Sequence, residues 1–191
     1  RDDLVTGVQT CALPISAAAS DALAASVPDA GGVAFVPALL GLGTPEWDFG
    51  ARGALLGITR GTGRAHITRA VLEGVAQRGA DLVEAAEQDA GLSLPALRID
   101  GGMSANATFV QALADATRRP VEVSPVLEAT TLGAGLLGHV ATGAFASIDD
   151  LADTWRPRTV VEPGTPLDRD RWREAVRRAS GWESGLSSLS F

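Results

Sequence analysis

The chain has 191 residues, 46% hydrophobic and 20% charged, with a net charge of −7, which is the balance of one sizeable globular domain. All 16 basic residues are Arg and form no stripe, which argues against a nucleic-acid platform, since phosphates need a concentrated positive face. No apolar run approaches the ~20 residues that cross a bilayer, which argues against a membrane span.

Residues 1–15 resemble the translation of a sequencing adapter, and the chain begins with Arg. A signal peptide is the competing reading, but Asp2, Asp3, Gln9 and Pro14 break both its basic and its apolar regions. We expect residues 1–15 to be a non-native leader without defined fold, joined to a truncated frame. The lone Cys, Cys11, can form no internal disulfide and fits a reducing, cytoplasmic setting.

Residues 16–31 read as a remnant helix (Ala17 to Ala25) and a loop. The main domain is expected over 32–182. Within it Gly32–Val36 reads as a buried strand stopped by Pro37. A Gly- and Pro-rich loop follows and carries Trp47, Asp48 and Arg52. Ala54–Ile58 is a second strand. A long helix is predicted from Ala65 to Asp89, with Ile67, Val71, Val75, Leu82 and Val83 near its apolar face and Gly91 as its stop. Ala96–Asp100 is a strand, Asn106–Thr117 a helix, and Val121–Val123 a strand. The next helix, Thr130–Thr142, carries Gly133, Gly135 and Gly138, which suit close packing. A short helix near Ile148–Thr154, a loop through Pro157, Pro163 and Pro166, and a helix from Asp168 to Gly181 complete the domain. Residues 183–191 are expected to be a frayed tail. Alternating strands and helices predict an α/β layer structure.

The chemistry concentrates at Asp100-Gly101-Gly102, where a strand passes toward a helix. Glycine there permits positive φ and lets a flat ligand approach without meeting a Cβ. The helix start beyond presents N–H groups and a positive dipole end, which suits a nucleotide. A tight turn alone is the plainer reading. Asn106 is either an N-cap or a ligand contact, two compatible roles. Asp100 reads as a turn residue, with a metal-adjacent role as the alternative. Asp48 and Arg52 are either a loop ion pair or a cleft position. His66 and His139 lack partners at metal-ligand spacing, and His66 suits a helix start. Glu128 suits the dipole of the helix it precedes. Trp155, Trp172 and Trp182 are expected to fix the tail to the domain.

Four blocks in order carry a family resemblance. They are Gly41–Asp48 with Ala51-Arg52-Gly53; Gly53, Leu55, Gly57 and Ile58 followed by His66-Ile67 and Ala70-Val71-Leu72-Glu73; Asp100-Gly101-Gly102 with Asn106, Phe109, Gln111 and Ala114-Asp115; and Glu128 with Thr131-Leu132-Gly133-Ala134. From Gly32 to about Trp182 the chain resembles the C-terminal domain of the FGGY carbohydrate kinases. The form of the Gly41–Asp48 loop is similar to that of the glycerol-phosphorylating members rather than the xylulose type. The resemblance implies a ribonuclease H-like, actin-type ATPase fold, Mg2+ and ATP, and a polyol acceptor in a homo-oligomeric parent. It implies adenine-nucleotide contacts at Gly102 and Asn106, with Gly101 beside them. It also implies that the general base, the phosphate loops and the polyol pocket belong to parts outside this chain, which alone would be inactive. A non-catalytic actin-like scaffold is the rival from another class.

Overall fold

The computed structural model describes residues 17–152 and 155–188; the leader 1–15, Cys11 and the end of the expected helix at Thr154 lie outside them. The first element is α1, Ala17–Ala25, as its alanine-rich sequence predicts. A two-stranded antiparallel sheet follows, β1 (Ala34–Val36) paired with β2 (Ala54–Leu56), with Phe35 opposite Leu55. Both strands are shorter than their apolar runs. Next comes the spine of the molecule, α2, Arg64–Ala90. At its start the Gly63 N–H donates to His66 Nδ1 at 3.1 Å, the helix-start role expected of this histidine. Its end is set by Gly91, whose φ of 64° satisfies the last turn as glycine readily does.

A second sheet holds β3 (Leu97–Ile99), β4 (Val121–Val123) and β5 (Thr159–Val161) in the order β3-β4-β5. β3 and β4 run parallel, and β5 pairs antiparallel with β4. Between β3 and β4 stand a 3-10 turn, Gly102–Ala105, and helix α3, Ala107–Thr117. After β4 come α4 (Ala129–Ala141) and the short α5 (Asp149–Ala152), then β5, α6 (Arg169–Ala179) and the single turn α7 (Ser184–Ser187).

Two cores flank α2. One joins Val36, Ala38, Leu42 and Ala51 to Trp172, Ala175, Val176 and Ala179 of α6. The other packs Ala76 of α2 and Val110, Leu113 and Ala114 of α3 on Val121 and Val123, with Leu97, Ile99 and Val161 at its edge. A carboxylate ties the first core together: Asp81 on α2 accepts from Arg169 Nη2 at 2.6 Å and from the Trp172 indole at 2.9 Å. Arg78, one turn away, also donates to the carbonyl of Gly43 at 3.1 Å, which holds the Gly41–Asp48 loop on the helix.

Several expectations are corrected. The buried face of α2 consists of Thr68, Ala70, Leu72, Gly74, Ala76, Gln77, Ala80 and Asp81, not the Ile67–Val83 stripe, and Leu82 is exposed. Small residues win because β1 crosses the helix closely: a Cβ on Gly74 would sit 2.1 Å from the Phe35 carbonyl oxygen. The expected loop at 157–166 contains β5, since Thr159, Val160 and Val161 are β-branched and the prolines fall outside the three-residue run. The tail is structured through Ser187: the Glu183 N–H donates to the Gly50 carbonyl at 2.9 Å. Trp182 does not fix it, being 73% exposed; Trp172 is buried, and Trp155 lies under the Arg98 guanidinium at 4.1 Å. The glycines of α4 pack against nothing within 4 Å, and no residue of this helix is buried. Leu132 and Leu137 stand 41% and 56% exposed on it.

Candidate functional site

The carboxyl ends of parallel strands are where α/β folds commonly place ligands, and β3 leads its glycines to that edge. The Ser124 N–H donates to the Ile99 carbonyl at 2.8 Å, closing the parallel pair beneath them. Asp100 Oδ2 accepts from the Ala129 N–H at 3.1 Å. This aspartate therefore fastens the strand end to the start of α4, a turn role. Gly101 has φ 82° and ψ 178°, a conformation open to glycine alone in practice. Its N–H donates to the Leu127 carbonyl at 3.0 Å, and its own carbonyl accepts from the Ser104 N–H at 3.1 Å and hydroxyl at 2.7 Å. The turn is thus held on both sides. Outward it is bare: a Cβ on either Gly101 or Gly102 would meet no heavy atom within 4 Å. The result is a rigid, side-chain-free ledge, with the half-exposed Met103 next to it.

Asn106 caps α3, its Oδ1 accepting from the Phe109 N–H at 2.9 Å. Its Nδ2 donates to Ser20 Oγ of α1 at 3.1 Å. The neighbouring Asp21 accepts from the Thr108 N–H at 2.9 Å and from the Thr108 hydroxyl at 2.7 Å. Burial works to raise the Asp21 pKa, but the Thr108 hydroxyl and the N–H groups of Thr108 and Ala107 outweigh it and hold the carboxyl below its ordinary range. These contacts correct one expectation: the first turn of α3 spends the Thr108, Phe109 and Val110 N–H groups inside the chain. It offers no ready cradle for phosphate. What remains uncommitted is the glycine ledge and the second hydrogen of the Asn106 amide.

Sequence reasoning missed Ser20 and Asp21, which lie 86 and 87 residues from their partners. No local pattern marks such a pairing. Asp48 and Arg52 form no ion pair with each other. Asp48 accepts from the N–H groups of Gly50 and Ala51 at 2.9 and 3.1 Å, and Arg52 donates to the Phe49 and Ala51 carbonyls. Glu128 sits at the start of α4 without a side-chain capping bond. His139 Nδ1 pairs with the Gly135 carbonyl at 2.8 Å. Among the described residues no group of three or more His, Cys, Asp or Glu side chains is placed to hold a metal ion. Two depressions, of about 90 and 280 Å³, flank Arg171 on the β1 side of the molecule. Neither includes the ledge, which is an open surface rather than a closed pocket.

The profile of the FGGY family of carbohydrate kinases, C-terminal domain, matches residues 7–142. A glycerol kinase of Symbiobacterium thermophilum is 49% identical over 171 residues, covering 87% of this chain and 34% of that protein. Glycerol kinase 2 of Thermotoga maritima is 45% identical over 173 residues, covering 88% and 35%. Among solved structures, Plasmodium falciparum glycerol kinase with ADP superposes with a TM-score of 0.76 at 33% identity, covering 86% of this chain and 34% of that one. Xylulose kinase of Rhodospirillum rubrum gives 0.67 at 27% identity, covering 84% and 33%. The chain spans about a third of the length of the relatives it matches.

Proposed function

The chain belongs to the FGGY family of carbohydrate kinases, and from that premise we propose that it is the nucleotide-side part of an enzyme that moves the γ-phosphoryl group of ATP to a hydroxyl of glycerol. The observation that carries this reading is the bare Gly101–Gly102 ledge beside an Asn106 whose amide is already oriented by the protein. A planar purine can lie against backbone there, and one fixed amide hydrogen can meet a ring nitrogen. Glycerol is favoured over xylulose because glycerol kinases supply the relatives at 45–49% identity.

Within this reading Gly102 provides clearance, Gly101 sets the turn, and Asn106 supplies directionality. None of them acts on the transferred phosphoryl group. Phosphoryl transfer rests on positioning and charge neutralisation around the phosphates, and the general base and polyol pocket fall to the two-thirds of the relatives' length that this chain does not match. Among the described residues no group of three or more acidic, His or Cys side chains gathers to hold a metal by itself; Mg2+ is commonly held through one or two carboxylates together with substrate phosphates. The parent enzyme would work in the cytoplasm as a homo-oligomer, without nucleic acid or membrane.

The test is a full-length enzyme carrying this C-terminal part, assayed with glycerol, xylulose and gluconate as acceptors. Glycerol should give the highest kcat/KM, and Asn106→Ala should raise the KM for ATP several-fold while leaving the KM for glycerol unchanged. A preference for xylulose would overturn the substrate, and an unchanged ATP KM would overturn the site. Glycerol phosphorylation by the 191-residue chain alone would overturn the division of labour.

A further inference from the structure

The Asn106 amide has one hydrogen and one lone pair left after its contacts within the chain, and those contacts come from two different elements. The Phe109 N–H fixes which end is oxygen, because turning the amide over would set two donors against each other at 2.9 Å. That single bond still lets the plane of the amide swing about its axis. The second anchor, Nδ2 to Ser20 Oγ at 3.1 Å, stops the swing. Ser20 itself is placed by α1, whose Ala24 is fully buried and whose Asp21 grips the first turn of α3 through Thr108.

Resting on the nucleotide reading above, we propose that Ser20 is a positioning residue for nucleotide binding: it locks the Asn106 amide so that its free hydrogen points over the Gly102 ledge, while Asp21 locks the helix that carries it. Neither residue touches the nucleotide. Their effect is preorganisation: the amide is ordered before the ligand arrives, so binding does not have to bear the entropy of ordering it. A short helix at the start of the described chain thereby sets the affinity of a ledge more than eighty residues away.

The experiment uses the 191-residue chain, isotope-labelled for NMR, with adenosine as the probe so that the missing phosphate loops play no part. In the unsubstituted chain the Asn106 side-chain amide should be rigid, and its resonances, with the backbone signals of Gly101 and Gly102, should move on titration with millimolar adenosine. Ser20→Ala should leave the helical circular dichroism unchanged, make the Asn106 amide mobile on the nanosecond scale, and raise the apparent Kd for adenosine about three- to ten-fold, the range of one lost hydrogen bond. Ser20→Thr, which keeps a hydroxyl in place, should restore both. Asp21→Asn gives a second measure, loosening Thr108 and Asn106 together. If Ser20→Ala leaves the amide rigid and the titration unchanged, the positioning role is wrong while the ledge survives as a site. If adenosine moves none of these resonances in the unsubstituted chain, the nucleotide reading fails and this inference fails with it.

Discussion

Ser187 donates its hydroxyl to the carboxylate of Asp48 at 2.5 Å, across 139 residues of sequence. The same carboxylate accepts from the Gly181 N–H at 2.8 Å as well as from Gly50 and Ala51, so one side chain fastens the C-terminal turn α7 to the Gly41–Asp48 loop. Asp48→Ala leaves these donors without their acceptor. It should cost about 2–4 kcal/mol, read as a lower urea midpoint, and should expose the bonds after Gly181 to limited proteolysis well before the rest of the chain is cut.

Acid should release the same clasp. The Ser187 hydroxyl, followed by the Gly181, Gly50 and Ala51 N–H groups, outweighs burial and holds the Asp48 carboxyl below its ordinary value, and Asp21 is lowered as well. A carboxyl depressed on folding contributes stability that is complete above its unfolded pKa of about 3.9 and is lost as pH falls through the folded value. Urea midpoints should therefore be level from pH 7 to about 5 and fall below pH 4. In the Asp48→Asn, Asp21→Asn double variant the acid-side fall should be shallower.

Asp81→Ala should be among the most damaging single changes in the described chain. It leaves the Trp172 indole without its acceptor at 2.9 Å, takes from Arg169 its shortest contact, at 2.6 Å, while Gln77 and Glu84 still hold that guanidinium, and removes a neighbour of Arg78, which tethers the loop at Gly43. Leaving a buried donor such as the indole N–H unsatisfied costs about 1–3 kcal/mol, and the weakened charge pairing adds to it. Trp172 fluorescence should report the loosened environment in the same denaturation experiment.

Two glycine-to-alanine changes should have opposite signs. Gly74→Ala drives a methyl group to 2.1 Å from the Phe35 carbonyl oxygen; β1 must move off α2, and thermal unfolding should occur many degrees lower. Gly135→Ala meets nothing within 4 Å inside a helix and should stabilise by up to about 1 kcal/mol through propensity alone. A destabilised Gly135→Ala would show that α4 is packed more closely than the structure has it.

Gly102→Val separates fold from ligand. Open space surrounds the position and its φ is not in the positive region, so the chain should unfold at an unchanged urea midpoint. In the full-length enzyme the KM for ATP should rise at least ten-fold, because the isopropyl group occupies the proposed purine face. A variant that loses stability as much as nucleotide use would assign the glycine to folding instead.

What was legible in the sequence was local. Ala17–Ala25, the stop at Gly91, the cap at Asn106 and the turn at Gly101 follow from propensity, chirality and hydrogen-bonding capacity within a few residues. The buried side of α2 was not, because the close approach of Phe35 to Gly74 selects small residues over the larger Val and Leu. Nor was β5, a three-residue edge strand that exists only because β4 offers it an edge. The glycine ledge was anticipated as backbone geometry, whereas the hydroxyl that orients its neighbouring amide came from α1, and only the folded chain brings Ser20 to Asn106.

The uncovered α4 carries a cost of a different kind. Thirteen residues without one Asp, Glu, Lys or Arg, none of them buried, make the kind of exposed apolar face that marks an interaction surface or an aggregation liability. This chain spans about a third of its relatives' length, so that bareness belongs to the stretch taken by itself, and covering the helix should raise its resistance to aggregation.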